Sequence, residues 1–209
     1  MKQNLTNLAA VRFVLNIVFC CALTTVVFTA CTVNDDNPVN PSGDVNKGIV
    51  INLGSVVIKP YMQFGASLAD VEKYMNDNYA GWTDNNPDAL QQYEQQGGTT
   101  WKKLYSKDGQ TIEFLFLGNS TGGKFALVSY GFDSIALLPN VKSELERNKF
   151  TYKGVLKFED YNADLCQLFL SDDEAIEVQV SSWEKDGGSW TISFQELDKY
   201  DLQFLTPAN

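Results

Sequence analysis

The sequence predicts an α+β domain in which helices pack on an antiparallel, meandering sheet. Three observations lead there. Short runs with period-two apolar alternation dominate the chain after residue 48. The joints between them are shorter than the dozen or more residues a parallel crossover needs. Helical periodicity is confined to three brief stretches, which suits a few helices laid on one side of a sheet.

Taken in order, Gly48 to Ile58 alternates Val and Ile with small polar residues and reads as an opening strand. Ser67-Leu68-Ala69-Asp70 has an N-cap serine with an acid three residues on, a relative of the capping box. Leu68, Val71 and Met75 then form one apolar helix face. A second helix is expected from Asn86-Pro87-Asp88, with a cap, an N1 proline and a first-turn acid, through Leu90 and Tyr93 to Gly97-Gly98. Trp101 to Ser106 and Thr111 to Leu117 flank Lys107-Asp108-Gly109-Gln110, where Asp-Gly signals a hairpin. Phe125 to Phe132 is the next strand. Asn140 to Asn148, after Pro139, reads as a short helix with Val141 and Leu145 inward. Phe150 to Phe158, Leu165 to Leu170, Ala175 to Trp183 and Ser189 to Phe194 read as four more strands, jointed at Asp172-Asp173 and Lys185-Asp186-Gly187-Gly188. Helix-then-sheet thus occurs twice, which predicts two tandem pseudo-repeats, 48–133 and 134–209, within a single domain spanning 48–209.

What precedes that domain reads as an address. Met1 to Ala30 has a polar start carrying Lys2 and Arg12, then an apolar run from Phe13 to Ala30, the layout of a secretory signal. An uncleaved anchor is the alternative, eighteen residues interrupted by Asn16 being borderline against the usual ~20 for a spanning helix. Phe28-Thr29-Ala30-Cys31 resembles the lipobox of bacterial lipoproteins, with Phe28 where that family prefers leucine. The resemblance implies cleavage after Ala30 and lipidation of Cys31. Residues 31–47, rich in Asn, Asp, Pro and Ser, bury too little apolar surface to fold and read as a tether. Within it, Asp35-Asp36 resembles the export signal of Bacteroidota surface lipoproteins, a solvated linker being the plain alternative. The implied location is a lipid-anchored domain at the bacterial envelope, at the outer membrane, periplasmic or surface-exposed. The helix-plus-sheet pattern also loosely resembles small envelope lipoproteins and tandem-repeat inhibitor domains.

Charge narrows the partners. The chain has 16 Lys+Arg against 26 Asp+Glu. Without residues 1–30, which hold two basic residues and no acid, 14 face 26, a net −12 carrying one arginine, Arg147. Nucleic-acid binding leaves a basic footprint, and phosphate recognition favours arginine's planar fork. The expected partners are therefore the membrane, through the lipid, and a glycan, peptide or envelope protein, with no nucleic acid.

Chemistry is sparse. The chain has no histidine, which removes Ser-His-Asp and Cys-His catalysis and His-containing zinc sites. Cys166 alternates with Leu168 and Leu170 and reads as core, and after processing it has no disulfide partner within the domain. Glycoside hydrolysis needs two carboxyls about 5–10 Å apart; Asp172, Asp173 and Glu174 are candidates, but they fall where turn chemistry explains them. Asp160, Asn162 and Asp164 place oxygens at alternate positions, like the start of an EF-hand loop, yet Leu165 stands where that loop needs glycine and Ser171 where it needs its glutamate. A plain hairpin loop is the favoured reading, and no cofactor is expected. Asp133-Ser134-Ile135 resembles the short O-glycosylation sequon of Bacteroidota exported proteins; Ser134 as a helix cap is the alternative. Aromatics are the remaining resource. Trp82, Trp101, Trp183 and Trp190 fall at or near strand ends, where rings either fill the core or stack on sugars and anchor partners. The sequence therefore points to an exported, non-catalytic binding or interaction domain, with an envelope-assembly role and a carboxylate-based glycan hydrolase as alternatives.

Overall fold

The computed structural model describes residues 48–87, 90–95, 98–118, 123–157, 163–184, 188–198 and 201–207. The elements run β1 (Ile51–Asn52), β2 (Val57–Ile58), α1 (Leu68–Asn78), β3 (Thr83–Asp84), β4 (Gln91–Gln95), β5 (Gly98–Lys107), β6 (Gln110–Leu117), β7 (Lys124–Phe132), α2 (Val141–Arg147), β8 (Phe150–Leu156), β9 (Leu165–Ser171), β10 (Ile176–Trp183), β11 (Ser189–Glu196) and β12 (Leu205–Pro207). A 3-10 turn, Ile135–Asn140, leads into α2. Ten strands form one sheet in the order β12-β8-β9-β10-β11-β7-β6-β5-β3, with β4 also on β5, and every pairing is antiparallel. The protein is mostly antiparallel sheet, and among the described residues the two α-helices, 11 and 7 residues long, are a minor component.

One face of the sheet carries the main core. Trp101, Lys103 and Tyr105 of β5 stand opposite Phe116, Phe114 and Ile112 of β6, which in turn face Phe125, Val128 and Tyr130 of β7. The row continues through Ile192 and Phe194 of β11, Val180 and Val178 of β10, and Phe169 of β9. Val71 and Met75 of α1 and Val141 and Leu145 of α2 join this same cluster, at about 1.5–3 kcal/mol for each large side chain fully buried. Ser67 caps α1 as expected, accepting from the Asp70 N–H while Asp70 accepts from the Ser67 N–H. The Ser67 hydroxyl, donating to the Asp70 carboxylate at 2.6 Å, and then the Ser67 N–H hold that carboxyl below its ordinary range.

The other face is largely polar and nonetheless buried. Lys102 and Glu113 pair at 3.5 Å, Ser193 donates to Ser129 at 3.1 Å, and Gln179 donates to Glu177 at 3.0 Å. Burial pushes the Glu113 carboxyl up, and Lys102 opposes that shift. Cys166 packs here as a small hydrophobe with Leu156, Leu168 and Leu170, against Leu197 and Leu205.

Two sequence expectations are corrected. Gly48 to Ile58 is not one strand but a tight hairpin, because Asn52 accepts from the Gly54 N–H and Leu53 donates to Val56, reversing the chain. The helix expected from Asn86 to Gly98 does not form either. Gln91–Gln95 is strand β4, paired with β5 from Gly98 to Lys102. Its Gln-rich stretch offers only Leu90 and Tyr93 as apolar anchors, too few for a helix face, while the edge of β5 offers unpaired backbone groups. Asn86, expected as a helix cap, serves that same edge. Its carboxamide donates to the Lys102 carbonyl at 2.7 Å and accepts from the Leu104 N–H at 2.9 Å, bridging the gap between β3 and β4.

Candidate functional site

A cleft of about 590 Å3 opens between the β1–β2 hairpin, the C-terminal end of α1 and the turn joining β5 to β6. Trp82 and Tyr79 line it, with their rings edge to face at 5.6 Å and 87°. The chain reaches this position because α1 ends at Asn78 and Gly81 takes a left-handed φ of 83°, which turns Trp82 back toward the sheet. A side chain at residue 81 would be strained there.

Hydroxyl groups fix the wall behind the rings. The Lys59 carbonyl accepts from Tyr79 and from Tyr130 at 3.1 Å each, and also from Tyr74, while the Lys59 N–H donates to the Tyr79 hydroxyl at 2.9 Å. Burial raises all three phenols above their ordinary value, so they remain protonated donors at neutral pH. One backbone position is thereby tied to α1, to the loop after it and to β7, and the end of β2 is held rigidly beside the cleft. Lys59 and Lys107, the Asp108 carboxylate and the amides of Asn78 and Gln110 complete the polar lining. These groups offer an apolar ring wall facing donors and acceptors, a suitable arrangement for a ligand with apolar faces and polar edges.

The four tryptophans fall into different environments. Trp190 is fully buried and stacks on Phe132 at 4.4 Å, its indole N–H donating to the Ser134 carbonyl at 2.9 Å. Trp183 is buried too, on the polar face of the sheet. Trp101 is half-buried against the core, and its indole N–H has no hydrogen-bond partner among the described residues. Only Trp82 of the four lines the cleft. The expectation of ligand contact therefore fails for Trp183 and Trp190, because both rings are buried.

The remaining sites resolve as follows. Cys31, Asp160 and Asn162 lie outside the described residues. Asp164 is exposed, and its N–H donates to the Ser182 carbonyl at the start of β9. Among the described residues, no group of three or more Cys, Asp or Glu stands close enough to hold a metal ion. Asp173 organises the β9–β10 turn, accepting from the Ser171 hydroxyl at 2.6 Å and the Ala175 N–H at 3.1 Å, which lower its pKa. Glu174 pairs with Lys153 at 2.8 Å. Ser134 caps the 3-10 turn, accepting from the Ala136 N–H at 3.3 Å. Sequence reasoning missed Tyr79, Asn78 and Lys107 at the cleft; Tyr79, three residues before Trp82 and just beyond the helix, was the available signal.

Comparison with protein-family models, curated proteins and solved structures finds no match for this chain. Among the described residues no helix is long and apolar enough to cross a membrane.

Proposed function

We propose that this protein is an exported lipoprotein, tethered to the bacterial envelope through Cys31, whose domain captures a saccharide non-catalytically in the Trp82 cleft. The observation that carries the reading is the pairing of the Trp82 and Tyr79 rings with amide, carboxylate and ammonium groups in one cleft. Sugar rings present C–H faces that stack on aromatics and hydroxyls that bind such polar groups. The tandem helix-then-sheet reading, with units 48–133 and 134–209, belongs to the same proposal. It is supported by a strand order that is palindromic about the β7–β11 pair, where β5-β6-β7 meets β11-β10-β9.

Location and binding are tested separately. Wild-type protein expressed in a bacterial host is expected to incorporate a fatty-acid probe and to stay with membranes, and Cys31→Ala to do neither. Equal labelling of the two forms would end the lipoprotein assignment. For binding, electrophoretic retardation of the domain by soluble polysaccharides is expected to weaken about tenfold in Trp82→Ala, equivalent to ~1.4 kcal/mol. Undiminished retardation in that variant would place the site elsewhere.

A further inference from the structure

We infer that the domain carries a second saccharide cleft, topologically equivalent to the first, so that each chain grips two units of one neutral glycan. This inference rests on the reading of the Trp82 cleft given above.

The equivalence follows from the strand registers. An antiparallel pair has a local two-fold axis perpendicular to the sheet, and Ser129 and Ser193 stand opposite each other at the centre of β7–β11. Moving outward from that pair, Glu113 lies opposite Ser129 and Gln179 opposite Ser193. The next strands put Leu104 opposite Glu113 and Leu168 opposite Gln179. Four residues beyond Leu104 is Asp108, in the β5–β6 turn; four beyond Leu168 is Asp172, in the β9–β10 turn. Asp108 lines the first cleft, and Asp172 lines another of about 520 Å3.

The helical side repeats as well. After α1, Gly81 at φ 83° precedes Trp82; after α2, Lys149 at φ 65° precedes Phe150. Trp82 lines the first cleft and Phe150 the second. Helix end, left-handed residue, aromatic and turn aspartate therefore recur together, although the residues themselves differ. Phe150 is buried, so the accessible ring in the second cleft is the half-buried Tyr152, packed against Phe169 at 5.2 Å, with the Lys142 ammonium over its face at 4.6 Å from the centroid.

Charge selects the ligand. The first cleft sets Lys59 and Lys107 beside Asp108, and the second sets Lys142 and Lys149 beside Asp172 and Glu146. Acids outnumber bases elsewhere on this domain, so the two clefts are nearly neutral islands on an acidic surface. They suit an uncharged chain better than a polyanion or a polycation. Two sites on one chain raise the avidity for a repeating polymer without any new contact.

The test uses dextran, laminarin, xylan and galactomannan in native gels, then calorimetric titration with an oligosaccharide of the polymer that retards the domain. Wild type is expected to bind two oligosaccharides per chain, and Trp82→Ala and Tyr152→Ala one each. Lys149→Gly, which relieves the left-handed backbone and so preserves folding, is expected to weaken one of the two sites about tenfold. One site in wild type, lost in Trp82→Ala and untouched by Tyr152→Ala and Lys149→Gly, overturns the second cleft and leaves the first standing. Retardation by none of the four polymers overturns both.

Discussion

Lys103→Ala is expected to lower the unfolding free energy by about 2–5 kcal/mol, the range for truncating a fully buried side chain of this length to alanine. Lys103 projects from β5 into the apolar face of the sheet and is 1% exposed. Its ammonium reaches the Asp84 carboxylate at 2.8 Å, the Glu72 carboxylate at 3.2 Å and the Asn86 carbonyl at 3.2 Å. An ammonium has three donors, and here each has an acceptor. This one group ties α1, β3 and the segment before β4 to the sheet. Alanine removes the cation and its four-carbon stem, leaving two carboxylates converging on an empty space. Their side chains are 42% and 30% exposed, so water reaches both and relieves part of the repulsion. That places the loss in the lower half of the range. Lys103→Met keeps most of the stem and is expected to cost less, so the difference between the two variants isolates the packing contribution. Urea denaturation measures both. An alanine variant within about 1 kcal/mol of wild type would show that the carboxylates are hydrated without the lysine and that the tie is dispensable.

Lys103 also shows where sequence reading fails. Its strand was legible, since Trp101, Lys103 and Tyr105 share a face by simple alternation, but a lysine between two aromatics reads as solvent-facing. Only the tertiary arrival of Glu72 and Asp84 makes its burial tolerable, and nothing local encodes that. The Gln-rich stretch before β5 failed for a related reason. Asn86 and Pro87 are sound helix-start chemistry, but the open edge of β5 claimed both the Asn86 side chain and Gln91–Gln95. By contrast, the Asp108-Gly109 hairpin, the Ser67 cap and the inward positions Val141 and Leu145 were legible because each depends on residues within a few positions. The candidate site was legible only as a choice among four tryptophans. Its cleft is assembled from Lys59, Tyr79 and Lys107, which the chain brings together over nearly fifty residues.

Trp190 and Trp82 should therefore separate cleanly in experiment. Trp190→Ala is expected to cost about 3–5 kcal/mol, the range for removing a large aromatic from a packed core. The ring is 0% exposed, lies stacked on Phe132, and its N–H supplies a hydrogen bond to the Ser134 carbonyl, where the chain leaves β7 for α2. At about 2–4 °C per kcal/mol for a domain of this size, the midpoint should fall by roughly 10 °C. Trp190→Phe keeps the stack and loses the hydrogen bond, so it should recover most of that loss. Trp82 is half-buried, with one side in the cleft, and its truncation should move the midpoint by a fraction as much while weakening saccharide retention. Trp190→Phe should retain the polysaccharide normally at temperatures where it is folded. The two residues carry the same chemistry, and the sheet alone assigns one to the core and the other to the cleft. A Trp82→Ala midpoint as low as that of Trp190→Ala would mean that the Trp82 ring is structural and that the cleft has no aromatic platform to offer.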